Sequence, residues 1–296
     1  QERRMMRALA ALALAALLGG CVTIGAFNRT TPHDQGAVQL AASIPYGDGP
    51  RRTLDVYAPE ARPAGAPVLV FIYGGGWRSG AKEDYSFVGD AFAANGFVTV
   101  IPDYRLAPET QFPGFLEDNA AALRWVQDNI ANFGGDPSRV VIVGHSAGAY
   151  NAVMIALNER YAHAAGYDPR MVRGAVGIAG PYGFYFNNPI IRDAFGDAPD
   201  PAHMHAIPFA RADAPPLLLL AGGADRRVPL RASTEMRDAA LAAGGRAELT
   251  VYAHLDHPGI LQALALARRE GAPVFRDVLA FARRVTAVEN AEVQAR

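Results

Sequence analysis

Cysteine, basic tracts and repeats are all scarce in this chain of 296 residues. Its single cysteine, Cys21, cannot form an internal disulfide, which excludes a disulfide framework. The formal net charge is −1 and no basic tract follows the first seven residues, so nucleic acid is not an expected partner. No cluster of His, Cys and carboxylate residues has ligand spacing, so no metal is expected. The lack of internal repeats argues against a solenoid.

Apolar side chains are abundant, since half of all residues are hydrophobic. A chain of this length and composition can bury one large core. We therefore expect one α/β domain over residues 37–296.

The N-terminal residues have the composition of a secretory signal. Arg3, Arg4 and Arg7 give a positive start, and an unbroken apolar run of eleven residues follows at positions 8–18. That run is too short for a transmembrane anchor but has the length of a signal core. Residues 1–20 are therefore predicted to be a signal peptide of an exported protein.

Small residues precede Cys21, a pattern that resembles the bacterial lipoprotein signal. The resemblance implies a lipidated Cys21 that holds the protein on a membrane surface of the bacterial cell envelope, because several acyl chains on one residue give stable attachment. The alternative is an ordinary cleaved signal with an incidental cysteine. Residues 21–36, which are polar and mixed, are expected to be a tether.

Strand-like and helix-like segments alternate through the rest of the chain, which favours a mostly parallel sheet with helices on both faces. Predicted strands cover residues 37–42, 53–58, 68–73, 97–101, 140–143, 172–179, 216–221 and 247–253. Predicted helices cover residues 83–95, 116–130, 149–157, 231–243, 259–270 and 272–285. Residues 181–213 interrupt the alternation with aromatic residues and prolines. We expect a small lid there, over the edge where such sheets bind ligands.

Residues 144–148 carry the most informative motif, Gly-His-Ser-Ala-Gly. It lies between a β-branched run and a helix-like stretch, which is the strand–turn–helix setting of a G-x-S-x-G nucleophile. Gly144 and Gly148 allow a tight turn. The turn presents Ser146 Oγ at a helix N-terminus, where backbone N–H groups can stabilise an oxyanion. Ser146 is the predicted nucleophile; the alternative is a glycine-rich turn with an incidental serine.

A serine nucleophile needs an imidazole base and a carboxylate that orients it. His254 and His257 both follow the last predicted strand, and His257 is preferred because a loop into a helix follows it. The acid should lie between the serine and the histidine in the chain. Asp225 follows the apolar run 217–220 and is preferred. Asp256 is the alternative, but as the neighbour of His257 it would have difficulty reaching Nδ1.

Residues 73–77 read Tyr-Gly-Gly-Gly-Trp and follow the first long central strand. Successive glycines allow backbone N–H groups to turn toward a substrate. The expected oxyanion donors are the N–H groups of Gly75, Gly76 and Ala147. A phosphate-binding loop is disfavoured, because no Lys-Ser/Thr pair and no G-x-G-x-x-G fingerprint fits. Trp77 and the aromatic residues of the lid are expected to line the pocket.

Five motifs together resemble the α/β-hydrolase carboxylesterases of the hormone-sensitive-lipase-like and bacterial feruloyl-esterase-like groups. They are residues 54–59 (Leu-Asp-Val-Tyr-Ala-Pro), 73–77, 103–108 (Asp-Tyr-Arg-Leu-Ala-Pro), 134–139 (Gly-Gly-Asp-Pro-Ser-Arg) and 144–148. The resemblance implies the α/β-hydrolase fold, hydrolysis of a small-molecule ester through an acyl-enzyme, and no cofactor. The chain departs from the family at Tyr73, where these enzymes usually have a histidine outside the triad.

Two other functions stay open at this point. An amide hydrolase resembling arylformamidases would use the same triad on an N-formyl or aryl amide. A surface binding protein could keep the fold without catalysis, although the intact Ser, Asp and His set argues against it. No oligomeric state is predicted.

Overall fold

An eight-stranded sheet forms the centre of the computed structural model, which describes residues 23–183, 189–196 and 200–288. Its strands are β1 (Ala37–Pro45), β2 (Thr53–Pro59), β3 (Ala66–Ile72), β4 (Val98–Pro102), β5 (Gly135–His145), β6 (Val172–Ile178), β7 (Leu217–Gly222) and β8 (Ala247–Tyr252). The predicted signal peptide, residues 1–20, and Cys21 lie outside the described residues.

The strand order is β1-β2-β4-β3-β5-β6-β7-β8. Strand β2 is antiparallel to β1 and β4, and all other neighbours are parallel. The β-branched and apolar residues of β3 and β5 are buried because both faces of a parallel sheet are covered. The predicted mostly parallel α/β sheet is confirmed.

Helices lie on both faces of the sheet. They are α1 (Ile24–Thr30), α2 (Ser86–Ala93), α3 (Gly114–Asn129), α4 (Ala147–Leu157), α5 (Arg160–Ala165), α6 (Pro189–Phe195), α7 (Pro201–Met204), α8 (Leu230–Ala242), α9 (His257–Gln262) and α10 (Val274–Val285). A Cβ built on Gly174 of β6 would lie 2.9 Å from the Phe281 side chain of α10, whereas one on Gly177 would lie 3.3 Å from Val153 of α4. Positions 174 and 177 point to opposite faces, so α4 and α10 lie on opposite sides.

Residues 21–36 were expected to be a tether, but helix α1 within this segment packs against the domain. The expectation is therefore wrong for residues 24–34. Phe27 and Asn28 of α1 are buried. The Asn28 side chain donates to Glu83 O at 2.9 Å and accepts from Phe87 N at 2.9 Å. Asp34 accepts two hydrogen bonds from the Arg269 guanidinium at 2.6 and 2.7 Å. Contacts remote in sequence therefore fix this segment to the domain.

Two further boundaries differ from the prediction. The helix predicted over 259–270 begins at His257, because the Asp256 side chain accepts a hydrogen bond from Gly259 N and caps the first turn. It ends at Gln262, and a separate 3-10 turn covers Leu266–Arg268. Strand β5, which was predicted over residues 140–143, begins at Gly135, and Gly135 pairs with Ala66.

The described part of the expected lid consists of short helical pieces. Helices α6 and α7 are followed by a 3-10 turn at Ile207–Phe209. Hydrogen bonds attach these pieces to the domain, from Phe112 N to Ala194 O at 2.8 Å and from Tyr150 Oη to Met204 O at 2.6 Å. Residues 184–188 and 197–199 of the expected lid lie outside the described ones. None of the helices within the described ranges is long and apolar enough to cross a membrane.

Candidate active site

Ser146 lies in the sharp turn between β5 and α4, with φ 55° and ψ −121°. A non-glycine residue adopts such a backbone only where its surroundings enforce it. Here the N–H of Ser146 donates to Ile178 O at 2.8 Å. The flanking glycines allow close approach of backbone: a Cβ on Gly144 would lie 2.1 Å from Gly148 O, and one on Gly148 would lie 2.0 Å from Ile72 O. The turn thus holds the Ser146 hydroxyl at the carboxyl edge of the sheet.

The side chains of Ser146, His257 and Asp225 form one chain of hydrogen bonds. His257 Nε2 lies 2.8 Å from Ser146 Oγ, and His257 Nδ1 lies 2.7 Å from Asp225 Oδ2. The side chains of His257 and Asp225 are only 8% and 1% exposed. The loop after β7 supplies the aspartate, and the first turn of α9 supplies the histidine. The structure therefore brings together the three residues that the sequence singled out.

The Asp225 carboxylate is held by more than the imidazole. Its Oδ1 accepts hydrogen bonds from the backbone N–H groups of Arg227 and Val228 at 2.8 and 3.0 Å. Burial alone would raise the pKa of Asp225, but the hydrogen bonds from His257, Val228 and Arg227 outweigh it and lower that pKa. Asp225 is consequently a carboxylate at neutral pH, which fixes the Nδ1–H tautomer of His257.

The two alternative residues have other positions. His254 is exposed on the loop after β8, and the imidazole that contacts Ser146 Oγ is that of His257. Asp256 is exposed, and its Oδ1 accepts from Gly259 N at 2.8 Å. The geometry thus favours His257 over His254, and it gives Asp256 the role of a helix cap.

Gly75, Gly76 and Ala147, whose N–H groups are the expected oxyanion donors, lie on the glycine loop after β3 and at the start of α4. Gly75 and Gly76 have φ of 120° and 62°, and a Cβ on Gly75 would lie 2.0 Å from Ser79 O, so these positions require glycine. Ala147 is the first residue of α4, where N–H groups have no intrahelical acceptor. All three residues line a cavity of about 460 Å³ together with Ser146 and His257.

The apolar wall of this catalytic cavity differs in part from the expectation. Trp77 lines it as expected, although this side chain is only 2% exposed and donates from Nε1 to Asn151 Oδ1 at 3.0 Å. Tyr182 of the lid is fully buried and does not line the cavity. Ile190 and Ile191 of α6 line it instead. No signal in the sequence indicated that these two isoleucines would line the cavity, because they lie in a region where aromatic residues were the expected lining. The aromatic residues at 184–186 lie outside the described residues.

Tyr73, the departure from the family pattern, connects the glycine loop to the domain. Its hydroxyl donates to Asp103 Oδ1 at 2.5 Å and accepts from Arg51 Nη2 at 2.8 Å. Its ring stacks on Tyr104 at 4.9 Å and on Tyr85 at 5.2 Å between ring centroids. Burial raises the pKa of Tyr73 well above its usual value, so the hydroxyl stays a donor. Arg51 follows an ordinary turn and belongs to no motif, so the sequence gives no signal for this contact.

His145 is a second residue whose role the sequence did not predict. Its Nε2 donates to the backbone oxygen of His257 at 3.1 Å, and the two rings lie 4.8 Å apart. Burial, with the neighbouring His257 charge as a smaller cause, lowers the pKa of His145 to about 3. His145 is therefore neutral at neutral pH, and its hydrogen bond to His257 O positions the first turn of α9.

Within residues 23–183, 189–196 and 200–288, no group of three His, Cys, Asp or Glu side chains is arranged to hold a metal ion.

Comparison with known proteins shows that the chain is similar in sequence to several esterases. Residues 54–180 match the family model BD-FAE. The isoprenylcysteine alpha-carbonyl methylesterase ICME of Arabidopsis thaliana is 29% identical over 241 residues, which are 74% of this chain and 56% of that protein. Esterase LipQ of Mycobacterium tuberculosis is 31% identical over 249 residues, which are 74% of this chain and 57% of LipQ. The chain thus spans a little over half the length of these curated relatives.

Solved structures identify the fold. Esterase B from Lactobacillus rhamnosis, inhibited by a C4-C4 SN3 tributyrin phosphonate, superposes with a TM-score of 0.76 at 19% identity, covering 97% of this chain and 96% of the esterase. The expected resemblance is confirmed: this chain is related to α/β-hydrolase carboxylesterases and has the α/β-hydrolase fold.

Proposed function

We propose that this protein is a serine carboxylesterase that hydrolyses small-molecule esters through an acyl-enzyme. The observation that carries the proposal is the hydrogen-bond chain from Ser146 Oγ through His257 to the buried Asp225, with distances of 2.8 and 2.7 Å. The relatives that are named esterases and methylesterases support ester hydrolysis over other acyl transfers.

In the first half of the reaction, Ser146 Oγ attacks the ester carbonyl carbon while His257 Nε2 takes the hydroxyl proton. The carbonyl oxygen becomes an oxyanion, which the N–H groups of Gly75, Gly76 and Ala147 stabilise by about 3 kcal/mol each. The bond to the alcohol oxygen then breaks, and His257 passes its proton to that oxygen. The alcohol leaves, and the acyl group stays on Ser146.

In the second half, water attacks the acyl carbon and gives a proton to His257. The bond to Ser146 Oγ breaks, His257 returns the proton to that oxygen, and the carboxylic acid leaves. Asp225 holds the imidazole in place and stays ionised, because its lowered pKa keeps it a carboxylate throughout.

Hydrolysis of p-nitrophenyl acetate, butyrate and octanoate tests the proposal. We expect turnover by the wild-type protein and a loss of kcat of about a thousandfold or more in Ser146→Ala and in His257→Ala. His254→Ala is the control, because His254 is exposed and makes no contact with Ser146. Loss of activity in His254→Ala with retention in His257→Ala would contradict the assignment of the base.

Two outcomes would favour the other functions. Hydrolysis of an aryl formamide with no turnover of any ester would favour the amide hydrolase. No reaction of the folded protein with a serine-directed fluorophosphonate probe would favour a binding protein.

The proposal includes export and attachment to a membrane surface through a lipidated Cys21. It is supported by the apolar run at 8–18 and the small residues before Cys21. Metabolic labelling with a radioactive fatty acid in a bacterial host should label the wild-type protein and not Cys21→Ser. Label in neither protein would exclude lipidation at this residue.

A further inference from the structure

A second cavity of about 760 Å³ lies beside the catalytic one, between α1 and α9. Thr23, Ile24 and Phe27 line it on the N-terminal side, and Pro258 and Leu261 line it on the side of α9. It has a mixed lining with an apolar wall, as ligand cavities commonly have. The mechanism proposed above makes no use of it.

The two cavities share two lining residues, His257 and Arg227, whereas Ser146 lines only the catalytic one. The leaving alcohol receives its proton from His257, so its oxygen must lie beside this imidazole. The acyl group, in contrast, stays bonded to Ser146, which lines the catalytic cavity together with the glycine loop, Ile190 and Ile191. An ester that fills both cavities therefore places its alcohol part in the second one.

The charges around the second cavity are of one sign. Arg227 and Arg268 line it, and no Asp or Glu side chain does. Both arginines are exposed, and neither forms an ion pair within the described part of the chain. Guanidinium groups bind carboxylate and phosphate oxygens through paired N–H donors.

We propose that the second cavity is the subsite for the alcohol part of the ester, and that it selects an alcohol with an anionic group on an apolar stem. Ile24, Phe27 and Leu261 contact the stem, and Arg227 and Arg268 bind the anionic group. This inference rests on the proposed esterase function and adds a substrate class to it.

A matched pair of esters tests the subsite: 4-carboxyphenyl butyrate, which is anionic, and 4-carbamoylphenyl butyrate, which is neutral. Both give the same butyryl-enzyme, so the ratio of their kcat/KM values isolates the alcohol side. We expect this ratio to fall about fivefold in Arg268→Gln and in Arg227→Gln, because the loss of one exposed ion pair weakens binding by about that factor. Arg226→Gln is the control: Arg226 adjoins Arg227, is exposed and lines neither cavity, so the ratio should not change.

A second pair of esters checks the direction of binding. The p-nitrophenyl monoester of glutarate carries its charge on the acyl side, and p-nitrophenyl butyrate is its neutral partner. The ratio for this pair should be the same in the wild type and in Arg268→Gln, because Arg268 lines only the second cavity, whereas Arg227 lines both. A fall confined to this pair would overturn the assignment, because it would place the anionic group on the acyl side.

Failure of the subsite and failure of the proposed function give different results. If both butyrates are hydrolysed and their ratio is the same in all three arginine variants, the subsite is wrong and the esterase stands. If neither ester is hydrolysed by the folded wild-type protein, the proposed function itself fails.

Discussion

The nucleophile turn at residues 144–148 and the N-terminal segment at residues 23–36 both lie next to His257, but they are held in different ways. Backbone contacts hold the turn, since added Cβ atoms at Gly144 and Gly148 would meet carbonyl oxygens at 2.1 and 2.0 Å. Side chains from distant parts of the sequence hold the N-terminal segment: Phe27 packs on Phe87, and Asp34 binds Arg269. A single substitution at Gly144 or Gly148 would therefore disrupt the whole nucleophile turn. In the N-terminal segment, in contrast, single substitutions can remove the side-chain contacts one at a time.

The largest expected effect is that of Gly148→Ala. The new Cβ would lie 2.0 Å from Ile72 O and 2.4 Å from Tyr73 O, and backbone atoms cannot move aside as a flexible side chain can. We expect the free energy of unfolding in urea to fall by about 3 kcal/mol or more, together with loss of activity.

Gly36→Ala is the matched control for this comparison. Gly36 has φ of 86° and no atom within 4 Å of an added Cβ, so only the backbone conformation opposes the substitution. The expected loss is about 1 kcal/mol. If Gly148→Ala and Gly36→Ala lowered the free energy of unfolding by the same amount, steric contact with neighbouring backbone would not be what makes the nucleophile turn sensitive to substitution.

Asp34→Asn should have an intermediate and local effect. The variant loses the charge that pairs with Arg269, and both side chains are mostly buried, at 9% and 18% exposed. We expect about 2 kcal/mol less protection of the α1 amides in hydrogen exchange, with little change in the amides of the central strands. Asp238→Asn removes an exposed pair with Arg237 and should change protection by less than about 0.5 kcal/mol. A uniform loss across the domain after Asp34→Asn would contradict the local role of this pair.

The smallest expected effect is a dependence of α1 docking on pH. Burial lowers the pKa of His33, but its hydrogen bonds to Asn28 O and the Asp90 carboxylate, with the nearby charge of Asp34, outweigh this and raise it above 6.5. A raised folded-state pKa means that the contribution to stability is complete below pH 6.5 and is lost as pH rises through the higher folded value. Limited proteolysis within residues 23–36 should therefore become faster above neutral pH, and the pH dependence should be weaker in His33→Gln.

The sequence predicted the sheet, and it singled out three residues that the structure brings together, because local patterns encode both. Each of the eight strands falls at a predicted position, since apolar runs bounded by glycine and proline are strand signals that need no partner. The proximity of Ser146, Asp225 and His257 follows from the fold, because the carboxyl ends of parallel strands share one edge.

What the sequence did not predict depends on contacts between distant residues. Helix α1 is short and polar in part, and Phe27 and Asn28 attach it to residues at positions 83–87. Asp34, which follows the helix, pairs with Arg269. No pattern within residues 21–36 contains these partners. The early start of α9 had a local signal that was overlooked, since Asp256 followed by His-Pro-Gly is a cap with proline in the first turn.

The neutrality of His145 has a consequence for charge balance during turnover. In the proposed reaction His257 becomes an imidazolium ion, 4.8 Å from the His145 ring. Because the pKa of His145 lies near 3, that ring carries no charge at the pH values where an esterase works. The transient cation therefore faces the Asp225 carboxylate without a competing positive charge from its nearest aromatic neighbour. In the tetrahedral intermediate the imidazolium is accompanied by two negative groups, the Asp225 carboxylate and the oxyanion, so the proton transfer leaves the net charge of the site unchanged.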